Sequence, residues 1–175
     1  MFLPMKTHII VTLIGPDRTG LVDALSSAIA SHGANWLDSR MSRLCGHFAG
    51  ILHVEVDSDK QHDLDQALLA IDGLDVTIEA MDSCPVPDAH RILHLEVIGN
   101  DRPGIVKDVS QVIASLGVNV EELETELSSA PMSGEDLFKA TARLAVPEET
   151  PVDALNDALE ALGDDFLVTL TQIVR

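Results

Sequence analysis

Aromatic residues are scarce in this chain of 175 residues, which contains four Phe, one Trp and no Tyr. A hydrophobic core must therefore be built mainly from Ile, Leu, Val and Ala. Cysteine is also rare, and Cys45 and Cys84 lie in unrelated local sequences. Two such residues favour reduced thiols over a disulfide framework or a metal centre.

Positively charged residues are also few. The chain has 11 Lys and Arg and 29 Asp and Glu, which gives a net charge of −18. The acidic excess is general, since residues 1–84 carry −7 and the remainder carries −11. Nucleic-acid binding draws its affinity from Lys and Arg side chains that neutralise phosphates. Direct binding to nucleic acid is therefore not expected, because an acidic protein field repels it.

Long apolar runs are missing as well. No run approaches the length that crosses a membrane, and residues 1–5 are too short for the apolar region of a signal peptide. The content of 46% hydrophobic residues is nevertheless ordinary for a folded globular protein. These features predict a soluble, cytoplasmic protein that does not bind a membrane.

What the chain does contain is an internal repeat. Residues 15–35 return at 99–119 with 11 of 21 positions identical, at a constant offset of 84 residues. A repeat of this length indicates a duplicated domain and not a short solenoid unit. We predict a first domain at 1–84, a stiff linker with two prolines at 85–91, and a second domain at 92–175.

Both predicted domains show the same order of hydrophobic periodicities. The first reads as strand 9–14, helix 21–33, strand 35–44, strand 48–56, helix 64–71 and strand 76–78. The second reads as strand 92–98, helix 103–116, strand 118–127, a hairpin lengthened by 128–134, strand 138–146, helix 155–162 and strand 166–174. This β-α-β-β-α-β order predicts an α+β protein of two ferredoxin-like domains, each with an antiparallel sheet and both helices on one face. Because small domains bury little surface, we expect the two sheets to dock edge to edge.

The repeated residues cluster in the loop between the first strand and the first helix of each domain. Gly20 and Gly104 allow a tight turn there. The carboxylates of Asp17 and Asp101 are expected to accept hydrogen bonds from the free N–H groups of the helix. Such residues can serve simply to start a helix. A helix N-terminus also suits a carboxylate ligand, because it offers N–H donors and partial positive charge.

An Asn follows each of these helices at the predicted start of the next strand, and we expect it to lie beside the loop. Its amide both donates and accepts, as recognition of an amino acid requires, although Asn after Gly is also common in turns. The predicted ligand-binding residues are Gly15, Asp17, Arg18, Thr19, Gly20 and Asn35 in the first domain, and Asn100, Asp101, Arg102, Gly104 and Asn119 in the second.

Catalysis is not indicated by the sequence. His32 is replaced by Leu116 at the matching position, and the repeated serines have no repeated His base beside them. His47 and His53 suit surface or packing roles better than a metal site. The glutamates of residues 121–126 suit a solvated or edge-protecting strand better than a cation site. No catalytic residue, metal or cofactor is therefore predicted.

The sequence Asp-Arg-Pro-Gly-Ile-Val at 101–106, followed by Gly-Val-Asn at 117–119, resembles the signature of ACT domains, small modules that bind amino acids and regulate other proteins. The resemblance covers both repeats. A tandem pair of this length is similar to the glycine cleavage system transcriptional repressor family. That likeness implies a non-catalytic regulator that represses transcription through a DNA-binding activator, with glycine as the expected signal.

In amino-acid-binding ACT domains, a His and an Asn of this loop often contact the ligand. Gly15 and Asp17 stand at those positions in the first domain, and Gly99 and Asp101 stand there in the second. The resemblance therefore implies amino-acid binding with an altered first contact, and a homodimer is one assembly that we consider. The alternative is a constitutive protein-interaction module whose ligand sites are vestigial.

Overall fold

The chain divides into two compact units near residue 86. The structure, a computed structural model, describes residues 5–85, 90–129 and 136–173. The chain folds as two compact units that we call unit 1 and unit 2, Met1–Val86 and Pro87–Arg175. The division falls within the stretch predicted as a linker, of which residues 86–89 lie outside the described part. The first strand of unit 2 begins at His90, two residues earlier than predicted.

Unit 1 has the predicted β-α-β-β-α-β order. Its elements are β1 (Lys6–Pro16), α1 (Leu21–Ser31), β2 (Asn35–Leu44), β3 (His47–Asp57), α2 (Gln61–Leu69) and β4 (Asp75–Met81). The strands form one antiparallel sheet in the order β2-β3-β1-β4. Alternate residues of the central strand β1 are buried from Ile9 onward, as the period of two in a half-covered sheet requires.

Unit 2 repeats this topology. Its elements are β5 (His90–Asn100), α3 (Ile105–Ser115), β6 (Asn119–Ser129), β7 (Asp136–Pro147), α4 (Val152–Glu160) and β8 (Leu167–Gln172). The sheet order is β6-β7-β5-β8, again antiparallel. Helix α3 begins two residues later than predicted, because Gly104 has a left-handed φ of 86°. The hairpin lengthening predicted at 128–134 lies mostly outside the described residues, and so does the predicted strand end at residue 174.

An aliphatic core lies between the helices and the sheet of each unit. In unit 1 the buried stripe of α1, formed by Leu21, Leu25 and Ile29, joins one cluster with the buried residues of β1. Leu64 and Leu68 of α2 belong to the same cluster, so both helices cover one face of the sheet. Unit 2 builds its core in the same way from α3 and α4. The predicted ferredoxin-like fold is therefore confirmed in both halves.

The helices are short, with 11 residues each in α1 and α3 and 9 each in α2 and α4. Within the described residues, none of them combines the length and apolar character that crossing a membrane requires. Gly33 (φ 67°) and Gly117 (φ 70°) adopt left-handed conformations after α1 and α3. These glycines end the helices and turn the chain into β2 and β6.

Candidate ligand-binding loops

The repeated motif forms a largely exposed connection between β1 and α1, and again between β5 and α3. We call residues 15–20 loop 1 and residues 99–104 loop 2. Both loops end on a left-handed glycine, Gly20 with φ 91° and Gly104 with φ 86°. Glycine adopts this conformation without strain. The duplicated sequence therefore produces the same backbone turn twice.

Asp17 links loop 1 to the hairpin between β2 and β3. Its N–H donates to the carbonyl oxygen of Gly46 at 2.8 Å, and its carboxylate accepts a hydrogen bond from Arg43 Nε at 2.6 Å. The expectation that Asp17 caps α1 is wrong, because Gly20 occupies the N-cap position and no side chain caps this helix. The cation from β2 engages the carboxylate instead.

Arg18 and Gly15 link loop 1 to the turn between α2 and β4. The Arg18 guanidinium donates to the carbonyl oxygen of Asp72 at 2.6 Å. A Cβ placed on Gly15 would lie only 2.0 Å from the carbonyl oxygen of Gly73. Loop 1 therefore rests on this turn through a backbone approach that only glycine permits.

Loop 2 is held by two hydrogen bonds that its backbone N–H groups donate. The N–H of Asp101 donates to the carbonyl oxygen of Asp136 at 2.9 Å, in the same place as the Asp17 bond of unit 1. The N–H of Asn100 donates to Oδ2 of Asp165 at 3.0 Å. Loop 2 thus also leans on the turn before the last strand, but it does so through a carboxylate.

Arg102 has different partners from Arg18, its counterpart in loop 1. Its guanidinium pairs with Asp108 Oδ2 at 2.7 Å and its central carbon lies 5.9 Å from the ring centroid of Phe166, within cation–π range. The expected capping of α3 by Asp101 is also wrong, since no side chain caps this helix. Among the described residues, the Asp101 carboxylate has no hydrogen-bond or ion-pair partner.

The first turns of α1 and α3, which directly follow loops 1 and 2, carry the groups that suit an anionic ligand. The first N–H groups of a helix have no partner within the helix, and here no side chain supplies one. In α3 the N–H of Ile105 already donates to the carbonyl oxygen of Arg102 at 3.3 Å, so the N–H groups that follow it are the ones open to a ligand. Together with the positive end of the helix dipole, these groups suit a carboxylate. Asp23 and Asp108 stand in the two turns, and the Arg102 guanidinium offsets the charge of Asp108.

Asn35 and Asn119 lie at the far end of their sheets, so the expectation that they sit beside the loops is wrong. Asn35 pairs with Glu55, which pairs in turn with His8. Pro16 lies eight positions after His8 along β1, roughly 26 Å at about 3.3 Å per residue. The cause is that α1 carries the chain back across the sheet before β2 begins. Asn119 occupies the same register in unit 2.

Several residues that hold the loops were missed by the sequence reasoning. Arg43 corresponds to Leu127 in the second copy, so the repeat does not mark it. Asp165 and Phe166 lie in the turn before β8. They are close to loop 2 because β8 pairs with β5, the strand that leads into that loop. Only the tertiary structure reveals that these side chains are neighbours of the motif.

Two pKa shifts mark the end of unit 1 opposite loop 1. The pKa of Asp57 is lowered from 3.8, above all by a hydrogen bond from Lys6 and then by one from Lys60. The pKa of Lys6 is raised, chiefly by the same hydrogen bond with Asp57. Both shifts favour the charged forms, as in a structural ion pair, and neither brings a group toward neutral pH for proton transfer.

In the described part of the chain, no group of three or more His, Cys, Asp and Glu is arranged to hold a metal ion. His53 places Nε2 at 2.9 Å from Nδ1 of His8. His47 stands at the start of β3, with Nδ1 3.4 Å from the carbonyl oxygen of Cys45. Cys45 and Cys84 are free thiols, and both are exposed.

The fold and the duplicated loop define a class of regulatory domain. The ACT domain family matches the chain twice, at residues 7–80 and at residues 89–164. The chain belongs to the ACT domain family and carries two such domains in tandem, as the loop motifs predicted.

One relative with a known name matches most of this chain. Over 157 residues the chain is 30% identical to phosphoserine phosphatase SerB2 of Mycobacterium tuberculosis. The match covers 83% of this chain and 36% of that protein. The chain therefore spans little more than a third of the length of this relative.

Two crystal structures are similar along their whole length. A protein from Galdieria sulphuraria that is described only as unknown has a TM-score of 0.80 and 32% identity, covering 97% of this chain and 99% of that one. A protein provisionally described as a glycine cleavage system transcriptional repressor has a TM-score of 0.71 and 18% identity, covering 98% and 99%. At that identity the second likeness concerns the fold alone.

Proposed function

We propose that this chain is a non-catalytic regulator that responds to an amino acid. The observation that carries the proposal is the duplicated loop, which presents an uncapped helix N-terminus at the surface of each unit. Membership of the ACT domain family supports it. The phosphatase relative does not argue for catalysis here, because most of that protein lies outside the match.

In the proposed binding mode, the carboxylate of the amino acid accepts hydrogen bonds from the first-turn N–H groups of α1 or α3. The ammonium group then lies near Asp101 in unit 2, where the described residues leave the carboxylate without a partner. In unit 1 the ammonium group would share Asp17 with Arg43. Gly15 and Arg18 act as positioning residues in this scheme, because they hold loop 1 on the neighbouring turn.

The regulated process that we propose is the glycine cleavage system, repressed through a DNA-binding transcription activator. The fold likeness to a protein provisionally described as such a repressor supports this assignment. The net charge of −18 supports an indirect route, since the chain would have to act on DNA through another protein. Glycine is the proposed signal.

The test is thermal shift and titration calorimetry of the full chain against glycine and the other amino acids. A ligand at 100 times its dissociation constant adds about 2.7 kcal/mol to the free energy of unfolding, which is readily measured. Asp101→Ala is expected to weaken binding at loop 2. Asn119→Ala is the matched control, and it is expected to bind normally because Asn119 lies at the other end of the sheet.

The alternative, a constitutive protein-interaction module, is favoured by one observation. The loop 1 carboxylate of Asp17 is already paired with Arg43 at 2.6 Å, as expected of a loop that needs no ligand to be ordered. If no amino acid shifts the unfolding midpoint or gives heat, the sensor proposal fails and this alternative stands.

A further inference from the structure

Unit 2 contains a cavity of about 30 Å³ between α3 and the strands β6 and β7. Its inner wall is formed by buried apolar side chains, among them Leu95, Ile113 and Ala142. Its rim is formed by Val106 and Leu123, which are 43% and 51% exposed. The cavity is therefore reached from the surface beside the first turn of α3.

The equivalent region of unit 1 holds larger side chains at some positions and smaller ones at others, where Val11, Ser39 and Gly50 correspond to Leu95, Leu123 and Ala140. Three residues that line the cavity, Val120, Thr125 and Ala142, correspond in the repeat to Trp36, Met41 and Leu52. Trp36 and Met41 pack against the unit 1 core, and Leu52 is fully buried within it. Met41 also lies close to β3, since its Cγ is 2.5 Å from the position of a Cβ on Gly50. Unit 1 thus uses its own side chains where unit 2 has open space.

The size and chemistry of the cavity restrict its occupant. A volume of 30 Å³ is about twice the roughly 10–15 Å³ that one water-sized group needs. The cavity therefore holds about two water-sized groups, which is room for the methyl end of a side chain and not for a whole aliphatic ligand. Ser110 donates its hydroxyl hydrogen to the carbonyl oxygen of Lys107 at 3.0 Å, so it does not offer a free donor. Because the remaining walls are almost wholly apolar, an aliphatic group is favoured over water or a polar group.

We propose that unit 2 binds an amino acid with a branched aliphatic side chain, whose end enters this cavity. The proposal rests on the proposed function, in that the charged groups of the ligand lie at loop 2. Val106 connects the two parts, since it forms the cavity rim and stands two residues after Gly104. Because Trp36, Met41 and Leu52 pack in this region of unit 1, we expect no such side chain to enter there. The two units therefore differ in ligand, and glycine remains the proposed ligand of unit 1.

The first experiment measures the affinity of the full chain for valine, leucine, isoleucine, alanine and glycine by calorimetry. One methylene in an apolar pocket changes affinity by roughly 10- to 200-fold. At least one branched amino acid is therefore expected to bind about tenfold or more tightly than alanine. If glycine binds and no branched amino acid does, this inference is overturned while the regulator proposal stands. If no amino acid binds at all, both fail.

The second experiment fills the cavity with the side chains of unit 1. Ala142→Leu places a larger group in the inner wall, and Thr125→Met does so on the partly open strand β6, where folding is less at risk. Each variant is expected to weaken branched amino acids about tenfold or more and to leave glycine binding unchanged. Glu124→Gln, on the opposite face of β6, is the control and is expected to bind as the unaltered chain does. Undiminished binding by a folded Thr125→Met or Ala142→Leu variant overturns the proposal.

Discussion

At the scale of single residues, identical motif residues have different contacts in the two units. Gly15 faces the carbonyl oxygen of Gly73 so closely that an added Cβ would lie 2.0 Å from it. A Cβ placed on Gly99, its counterpart, would have its nearest neighbours at 3.6–3.7 Å, in Phe166 and Asp165. The first glycine is required by packing, whereas the second has room for a methyl group.

This difference predicts that the same substitution destabilises unit 1 and leaves the stability of unit 2 almost unchanged. Gly15→Ala forces two backbone segments apart, so it is expected to lower the free energy of unfolding by about 1–3 kcal/mol. Gly99→Ala introduces only ordinary contacts, and a change within about 0.5 kcal/mol is expected. Urea unfolding of both variants measures the difference. Equal losses in the two variants would show that Gly15 does not contact the turn as described.

The Asp residues of the motif show the same divergence. Asp17 is neutralised by Arg43, a residue replaced by Leu127 in the repeat. Asp101 has no such partner among the described residues. The backbone N–H of this residue anchors the loop in both units, whereas its carboxylate is paired in unit 1 and has no partner among the described residues in unit 2.

At the scale of elements, ion pairs join the ends of β1 and β3 to the start of α2. Lys6 Nζ lies 2.9 Å from Asp57 Oδ1, and Lys60 Nζ lies 3.3 Å from Asp57 Oδ2. The hydrogen bond from Lys6 is the main reason why the pKa of Asp57 is lowered below 3.8. A lowered pKa means that the folded state prefers the carboxylate. The contribution of Asp57 to stability is thus present above about pH 4 and is lost as the pH falls through its folded pKa.

Removing the main partner predicts a defined change with pH. Lys6→Met is expected to lower the unfolding midpoint at neutral pH. The difference from the unaltered chain should shrink as the pH falls below 3.8 and through the lower folded pKa of Asp57, below which the carboxylate is protonated in both states. The pKa of Lys6 is raised from 10.5, so the same difference should also shrink as the pH rises above that value. Lys107→Met on α3 is the control. A difference that is independent of pH would contradict the role of this pair.

At the scale of the whole molecule, the net charge of −18 dominates. Like charges repel one another, and this repulsion opposes the compact state. Raising the ionic strength from about 0.01 M to about 0.15 M shortens the Debye length from roughly 30 Å to 8 Å. The midpoint of thermal unfolding is therefore expected to rise by about 2–4 °C, equivalent to about 1 kcal/mol. Scanning calorimetry in sodium chloride measures the shift, and a midpoint that stays constant or falls would contradict it.

Much of the fold was accessible from the sequence because its signals are local. Apolar alternation at residues 138–146 predicts a half-buried strand, which is β7, and the helical spacing of Leu21, Leu25 and Ile29 predicts the buried stripe of α1. The left-handed turns at Gly20 and Gly104 follow from the conformational freedom of glycine. The predicted place of Asn35 was wrong, because a helix of 11 residues carries the chain to the opposite end of the sheet.

The amino-acid order thus specified two copies of one topology and one backbone turn, since helices, strands and turns depend on residues a few positions apart. Whether a motif residue is available to a ligand depends on partners from distant strands and turns, such as Arg43 beside Asp17 or Gly73 beneath Gly15. The cavity of unit 2 arises likewise from side chains on four separate elements. Packing brings such groups together in three dimensions, and the spacing of residues along the sequence does not show which of them will be in contact.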